Sequence, residues 1–252
     1  MKKIEGKVAI VTGAGGLIGS HIVRRLAGDG AMVIATDIAL FDTLLLLADE
    51  VVAAGGKCVA QKMDITSSRE VAEVFAAVEQ QYGSIDILVN NAAKLRSGSG
   101  EPFQDTREEC WREIIEVNLV GTMLCCQKVI PGMIKRKSGK IINLSSIAGV
   151  SGLPGWSDYA ASKAGVILFS QTLAMELGKH GITVNCVAPG MITRSKEVKP
   201  SDGTWVGRCG TGTDIANMIA FLSSAEADFI TGCNYLVDGG RVLGPKNASW
   251  DL

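Results

Sequence analysis

One stretch near the start of the chain decides the fold: Val8-Ala9-Ile10-Val11-Thr12-Gly13-Ala14-Gly15-Gly16-Leu17-Ile18-Gly19. Its first four residues form a strand-like apolar run, and Leu17–Ala27 continues with apolar residues at helical spacing. Glycines between a strand and a helix let the backbone turn sharply and approach a pyrophosphate, while the helix N-terminus supplies amides and a positive dipole end. The stretch therefore predicts a dinucleotide-binding turn.

Short β-branched runs alternate with helical patterns along the rest of the chain. The further strands are predicted at Met32–Ala35, Cys58–Ala60, Ile85–Val89, Ile141–Leu144, Thr183–Val187 and Tyr235–Val237. Helices are predicted between them, near residues 41–54, 67–82, 105–136, 158–179 and 213–224. Nearly continuous apolar strands separated by helices indicate a parallel sheet covered on both faces. We therefore predict a single α/β domain over residues 1–252, a doubly wound, Rossmann-like sheet of about seven strands.

Composition excludes several classes of function. The net charge of −1 gives no excess of Lys and Arg for nucleic-acid binding. The N-terminal apolar run breaks at Thr12-Gly13, too early for a secretion signal. No stretch approaches the roughly 18 consecutive apolar residues of a membrane helix. We therefore expect a cytoplasmic protein without nucleic-acid or membrane partners.

The cysteines and histidines give no sign of a metal or redox site. The seven cysteines lack C-x-x-C spacing and mostly lie in apolar runs, so buried reduced thiols are expected. His21 and His180 have no partner at metal-ligand spacing. We predict no metal site.

The ends of the second, third and fourth predicted strands carry small polar groups. Asp37 ends the second, where a carboxylate can accept hydrogen bonds from ribose hydroxyls and would repel a 2′-phosphate. No Lys or Arg at positions 14–16 or 38 offsets that repulsion, so NAD is predicted over NADP. Asp64-Ile65 and Asn91-Ala92 are expected beside the adenine and ribose. Helix capping by Asp37, Asp64 or Ser67 is the structural alternative.

The segment Tyr159-Ala160-Ala161-Ser162-Lys163 carries the chemistry. Tyr and Lys four residues apart share a helix face. A neighbouring ammonium lowers the pKa of a phenol, which can then act as general acid or base. A strand ends thirteen residues before Tyr159, in Asn143-Leu144-Ser145-Ser146, where a Ser hydroxyl could hold a substrate oxygen.

These motifs together resemble the short-chain dehydrogenase/reductase family over essentially the whole chain. The landmarks are the glycine turn at residues 12–19, Asp37, Asp64, Asn90-Asn91-Ala92, Asn118, Ser146, Tyr159, Lys163, Pro189-Gly190 and Asp238-Gly239-Gly240. The resemblance implies an oxidoreductase that transfers a hydride between NAD(H) and an alcohol or carbonyl carbon.

The resemblance also implies roles for single residues. Tyr159 would exchange the proton with the substrate oxygen, and Ser146 would orient that oxygen. Lys163 would lower the pKa of Tyr159 and bind the nicotinamide ribose, and Asn118 would hold a water in a proton relay behind Lys163. Pro189, Gly190 and the backbone of Ile192 would cover the nicotinamide. The spacing to Tyr159 selects Ser146 over Ser145, which is expected to be structural.

Two irregular segments are candidate substrate loops, because both follow strands at the ligand side of such sheets. We call residues 94–104 the first loop and residues 191–212 the second loop. The second loop is shorter than in many relatives, so its helical lid is expected to be trimmed. Both loops are cationic, with Lys94, Arg96, Arg194, Lys196 and Lys199. A small polar substrate is therefore expected, with an anionic one as an open alternative.

Three departures from the family pattern keep other functions open. The glycine spacing G-x-x-G-x-x-G and the Ala at position 93 differ from the usual motifs, and Arg194 replaces a Thr. The alternatives are a nucleotide-sugar-modifying enzyme and a non-catalytic dinucleotide sensor. The resemblance also implies a homodimer or homotetramer. It places Cys125 and Cys126 on a helix that packs across subunits, and the tail 244–252 is a further candidate contact.

Overall fold

Seven parallel strands form one sheet in this computed structural model, which describes residues 3–95, 100–195 and 198–244. The strands are β1 Val8–Thr12, β2 Met32–Asp37, β3 Lys57–Lys62, β4 Ile87–Asn90, β5 Gly139–Leu144, β6 Ile182–Pro189 and β7 Asn234–Val237. Their spatial order is β3-β2-β1-β4-β5-β6-β7, and every neighbouring pair is parallel. The predicted seven-stranded, doubly wound α/β fold is confirmed.

Eight α-helices connect and cover the strands. They are α1 Leu17–Gly28, α2 Phe41–Ala53, α3 Ser68–Tyr82, α4 Glu108–Ile115, α5 Gly121–Arg136, α6 Ala148–Ser151, α7 Ser157–Leu177 and α8 Gly212–Leu222. One core layer lies between the sheet and α1, α2 and α8, and the other between the sheet and α3, α5 and α7. Successive side chains of a strand point to opposite faces of the sheet. In β1, Ala9 and Val11 therefore enter the first layer, and Val8 and Ile10 enter the second.

The strand order creates the crevice that holds the site. β1 pairs with β2 on one side and with β4 on the other, so the chain winds outward in opposite directions from this point. In open α/β sheets, ligands bind at the carboxyl ends of the strands at such a reversal. The glycine turn after β1 lies at this position.

The long helix predicted over residues 105–136 is interrupted. A 3-10 turn at Phe103–Asp105 precedes α4, and a π turn at Glu116–Val120 separates α4 from α5. Gly121, the first residue of α5, packs closely on Ile65, since a Cβ on Gly121 would lie 2.7 Å from Ile65 Cδ1. The π turn contains Asn118, and such turns are frequent at functional sites.

The helical region Glu108–Arg136 is long and apolar enough, by length and composition alone, to cross a membrane. In this fold its α5 part packs on the sheet, where Cys125, Cys126, Val129 and Met133 are fully buried. Cys125 and Cys126 therefore fill the core of their own subunit, and they do not form a subunit interface.

The second loop folds back on itself without a helix in its described part. Ile192 bridges Gly210, and Pro200 bridges Arg208. Arg208 donates two hydrogen bonds to Asp214, of 2.8 and 2.9 Å, and Asp214 closes a capping box with Thr211 at the start of α8. This agrees with the expected loss of a helical lid, and it anchors the end of the loop to α8.

Candidate active site

One cavity of about 930 Å³ lies at the carboxyl ends of the strands. The predicted site residues that line it are Gly13, Gly16, Leu17, Ile18, Asp37, Asp64, Ile65, Asn91, Ala92, Ser146, Tyr159, Lys163, Pro189, Gly190 and Ile192. The predicted residues Gly15, Gly19 and Asn118 do not line it. The structure thus brings the predicted cofactor and chemical residues into one cleft, although they lie far apart in sequence.

The glycine turn is shaped by close packing of backbone. Gly13 has φ +61, and a Cβ there would lie 2.6 Å from Ala92 Cα. A Cβ on Gly19 would lie 2.3 Å from Gly13 O. Asn91 fixes the turn from β4, since its Nδ2 donates to Thr12 O at 2.9 Å and to Gly13 O at 2.8 Å. Glycine is needed at positions 13 and 19 because no side chain fits there.

The start of α1 fits a pyrophosphate. Gly16 is the N-cap and has no side chain to bond the first amides of the helix. The backbone N–H groups of the first turn, from Leu17 to Gly19, have no partner within the helix. A helix N-terminus with open amides in a glycine cradle favours an anionic group.

Asp37 lies at the end of β2, buried, and lines the cavity. Its Oδ2 accepts the N–H of Gly15 at 3.0 Å, and its Oδ1 accepts the N–H groups of Ala39 and Leu40 at 3.0 and 3.1 Å. The carboxylate therefore holds the glycine turn and the entry to α2 as well as facing the cleft. Asp37 does not cap α2, whose N-cap is Leu40, and its contact with a cofactor ribose stays a prediction.

After the third strand too, residues that line the cavity also make local hydrogen bonds. Asp64 and Ile65 line the cavity, while Asp64 Oδ1 accepts hydrogen bonds from the N–H and hydroxyl of Thr66, both at 2.8 Å. Ser67 caps α3 by accepting the N–H of Glu70. The capping role that the sequence left open belongs to Ser67, which leaves Asp64 and Ile65 at the cleft.

Tyr159 and Ser146 meet at the reacting end of the cavity. Both side chains line the cavity, and Ser146 Oγ accepts the N–H of Ala148 at 3.1 Å. Burial raises the pKa of Tyr159 above its ordinary value, and the interaction of the phenol with Ser146 offsets part of the rise. The predicted lowering of this pKa by Lys163 is not found, because burial is the dominant effect. A protonated phenol suits proton donation to a carbonyl oxygen.

Lys163 is a buried ammonium group beneath the tyrosine. Its Nζ donates to Leu144 O at 2.7 Å and lies 5.9 Å from the centroid of the Tyr159 ring. Burial lowers the pKa of Lys163 from 10.5 to about 8, and a charge interaction with Cys186 opposes that shift. At neutral pH the ammonium is still charged, but it loses its proton within a range accessible to enzymes.

Ser145 has the structural role expected of it. Its Oγ donates to Asn234 Oδ1 at 2.7 Å and lies 3.2 Å from Val187 O. These bonds connect the end of β5 to β6 and β7, and they leave Ser146 as the serine that contacts Tyr159.

Asn118 has contacts that differ from the expectation. Its Oδ1 accepts the N–H of Lys94 at 2.7 Å, and its Nδ2 donates to Lys94 O and to Ser162 Oγ, both at 3.1 Å. The amide side chain thus clamps the start of the first loop, so it cannot donate to a relay water. A water relay at this residue stays a prediction.

The nicotinamide segment is built by contact with the last strand. A Cβ on Gly190 would lie 2.6 Å from Asp238 Cα, and Gly190 N–H donates to Val237 O at 3.1 Å. Thr193 N–H donates to Gly210 O at 2.9 Å, which holds Ile192 against the cavity. These contacts fix the backbone that is predicted to cover the nicotinamide.

The loop cations do not act as one group. Lys94 lines the cavity but pairs with Glu113, and Lys199 lies outside the cavity wall. Arg194 is exposed and lines the cavity. Arg96 and Lys196 lie outside the described residues, as do residues 245–252 of the tail. The cation that faces the cleft from the described part of the second loop is therefore Arg194.

Sequence reasoning missed three residues at the site. Glu113 and Glu116 line the cavity from α4 and the π turn, and Trp156 packs on Tyr159. The two glutamates lie three residues apart and so share a helix face, which is the signal that could have paired them. In the part of the chain that the structure describes, no three His, Cys, Asp or Glu side chains form a group suited to a metal ion.

Comparison with known proteins agrees with this site. A family model described as short chain dehydrogenase matches residues 7–202. The 3-oxoacyl-(acyl-carrier-protein) reductase FabG of Staphylococcus epidermidis is 40% identical over 245 residues, 94% of this chain and 99% of that protein. The reductases of the same name from Thermotoga maritima and Vibrio cholerae are 40% and 38% identical, over 96% and 95% of this chain and 100% and 99% of theirs.

Proposed function

Because the chain belongs to the short-chain dehydrogenase family, an oxidoreductase family that acts on hydroxyl and carbonyl groups, we propose that it interconverts a small polar alcohol and its carbonyl compound with NAD(H). One observation carries the proposal: Ser146, Tyr159 and Lys163 share a single cavity with the glycine turn and Asp37. The nicotinamide dinucleotide supplies the hydride acceptor or donor when bound.

The proposed chemistry divides between three side chains. Tyr159 donates its proton to the carbonyl oxygen in reduction and takes it back in oxidation. Ser146 holds the substrate oxygen beside the phenol, since its hydroxyl already contacts Tyr159. Lys163, whose Nζ lies 5.9 Å from the centroid of the phenol ring, would bind the nicotinamide ribose.

The preference for NAD over NADP rests on Asp37. Its carboxylate lines the cavity, and the neighbouring wall residues Ile38, Ala39 and Leu40 are uncharged. The described cations of the wall, Lys94, Lys163 and Arg194, lie on other elements. A 2′-phosphate beside Asp37 would meet a negative charge without a nearby counterion, whereas ribose hydroxyls can donate to it.

The preference for a small polar substrate rests on the second loop. Its described part has no helix that could fold over a long chain, and Arg194 faces the cleft. A guanidinium can bind a carboxylate or phosphate through two parallel hydrogen bonds. An anionic group on the substrate would therefore contact Arg194.

Reduction of a 3-oxoacyl thioester is a second candidate function. The names of the similar proteins favour it, since those proteins align over nearly the whole of both chains. It would require the open second loop to accept an acyl chain joined to a carrier protein.

One experiment distinguishes the two candidates and tests the cofactor. Absorbance at 340 nm is followed with NADH or NADPH, using small keto acids and ketones in one series and acetoacetyl thioesters in the other. We expect faster turnover of small polar carbonyl compounds and a preference for NADH. Faster turnover of the thioester would replace the small-substrate proposal, and faster turnover with NADPH would refute the cofactor assignment.

We also propose that the protein is a cytoplasmic dimer or tetramer. The seven cysteines are free, and five of them are buried, as is typical of a reducing compartment. The α7 helix exposes Ala161, Ala164, Leu168 and Met175, an apolar stripe turned away from the sheet. Light scattering should give a dimer or tetramer mass, and Leu168→Glu should lower it.

A further inference from the structure

The first loop and the turn before α7 meet at two glycines. Gly100 and Gly155 have φ +86 and +79, a region that L side chains rarely adopt. Between them, the N–H of Glu101 donates to Gly155 O at 3.1 Å. A Cβ on Gly100 would lie 2.8 Å from the same carbonyl. The contact is thus made by backbone against backbone, and it leaves no room for a side chain at Gly100.

The indole of Trp156 lies between this contact and the reacting tyrosine. A Cβ on Gly100 would lie 2.7 Å from Trp156 Nε1 and 3.0 Å from its Cδ1, so the loop rests on that edge of the ring. The Trp156 and Tyr159 rings stand edge to face, with centroids 6.1 Å apart and an angle of 76° between their planes. Aromatic pairs prefer this arrangement, so the contact with Trp156 favours one orientation of the Tyr159 ring.

The backbone of Trp156 is joined to the helix that carries Tyr159. Ala160 N–H donates to Trp156 O at 2.8 Å, and Trp156 N–H donates to Leu153 O at 3.0 Å. Movement of the first loop at Gly100 therefore acts on the phenol through one side chain. Asn118 makes a second connection between the first loop and α7, by hydrogen bonds to Lys94 and to Ser162. That connection does not pass through Trp156.

We propose that Trp156 is a positioning residue that couples docking of the first loop to the orientation of the Tyr159 phenol. This inference rests on the proposed function, in which Tyr159 exchanges the proton. It makes turnover depend on the contact at Gly100, although no atom of Gly100 has a part in the chemistry.

The test is a double-mutant cycle of Trp156→Ala and Gly100→Ala, with Trp156→Phe as the conservative variant. Misplacement of a reacting group by about 1 Å can cost on the order of a hundredfold in rate, so we expect each single alanine variant to lower kcat about ten- to hundredfold. NADH affinity, measured by fluorescence, should change less than about twofold, and Trp156→Phe should recover most of the rate. Gly100→Ala should add little to Trp156→Ala, because both act through one contact.

Trp111→Ala is the matched control, since Trp111 is a half-buried tryptophan on α4 that packs on Arg112 away from the cavity wall. Its kcat should stay near that of the unmodified protein. Independent, multiplying effects of Gly100→Ala and Trp156→Ala would overturn the inference, as would a kcat for Trp156→Ala within twofold of the unmodified protein. If Trp156→Ala unfolds at the assay temperature, Trp156→Leu replaces it in the same cycle, because leucine keeps apolar bulk but removes the ring. Absence of turnover in the unmodified protein would instead refute the proposed function.

Discussion

The two ends of the cleft are built by different means. At the cofactor end, backbone packs on backbone, as at Gly13 and Gly19, and Asp37 and Asn91 bond the turn with their side chains. At the substrate end, side chains hold each loop to a neighbouring element, Trp156 against Gly100 of the first loop and Asp214 of α8 against Arg208 of the second. The cofactor end therefore has one geometry set by close packing. The substrate end can change its residues without a change of fold, which is where members of a family can differ in specificity.

The largest expected effect is at the boundary between the two ends. Tyr159→Phe removes the proton donor but keeps the ring, so kcat should fall by about two to four orders of magnitude. NADH binding should change little. Tyr82→Phe, at the end of α3 and outside the cavity wall, is the control and should keep full activity. Nearly full activity of Tyr159→Phe would refute the mechanism.

Lys163→Met should abolish activity and raise the free energy of unfolding at pH 7. A pKa lowered from 10.5 to about 8 means that the folded protein releases a proton that the unfolded chain keeps between those pH values. Stability therefore rises with pH through this window, and the buried charge costs about 3 kcal/mol at pH 7. Because Leu144 O loses its donor, we expect a net gain of about 1–2 kcal/mol at pH 7, shrinking towards pH 10.

Urea unfolding of both proteins at pH 7 and pH 10 measures this gain, and activity of the variant should be lost. In the unmodified protein, kcat/KM for carbonyl reduction should fall as pH rises through about 8, where Lys163 loses its charge. A flat profile between pH 7 and 9, or destabilisation that is equal at both pH values, would contradict the role of a buried charge.

A pair of glycines in α1 tests the close packing of the cofactor end. Gly19→Ala puts a Cβ 2.3 Å from Gly13 O, and overpacking of this kind costs about 1–3 kcal/mol. NADH affinity should fall with it. Gly28→Ala, at the other end of the same helix, meets nothing within 4 Å and should be neutral or slightly stabilising. Equal effects of the two substitutions on thermal unfolding would show that the turn is not closely packed.

Asp37→Ala tests charge at the same end. In the unmodified protein, NADH should be preferred at least about tenfold, which corresponds to about 1.4 kcal/mol. The variant should narrow this ratio by relieving repulsion of the 2′-phosphate. It should also bind both cofactors more weakly, since the amides of Gly15, Ala39 and Leu40 lose their acceptor. Asp42→Ala, exposed in the first turn of α2, should leave the ratio unchanged.

The smallest effect is expected at the substrate end. Arg194→Ala should raise KM for an anionic substrate several-fold, about the value of one charged hydrogen-bond partner at an exposed site. KM for a neutral analogue of similar size should change less. Lys199→Ala, on the same loop but outside the cavity wall, is the control. An equal rise for both substrates would show that Arg194 does not recognise charge.

The parts of this molecule that follow periodic patterns could be predicted from sequence. The apolar run at Val8–Val11 and the glycine turn predicted the crevice, and the spacing of Tyr159 and Lys163 predicted that the two side chains share a helix face. Contacts between distant segments left no such pattern. Gly100 on Trp156 joins two loops across more than fifty residues, and Glu113 neutralises Lys94 from another element. The direction of the Tyr159 pKa also depended on burial, which the local spacing to Lys163 does not reveal.

The position of β1 between β2 and β4 has a consequence for synthesis of the chain. β1 can pair with β2 as soon as both have left the ribosome, but its other neighbour, β4, begins only at Ile87. At about 5–20 residues per second, a nascent chain spends several seconds with that edge of β1 open. An apolar strand with unpaired backbone groups is prone to aggregation. A strand that is fully buried in the finished protein therefore needs protection while translation is under way.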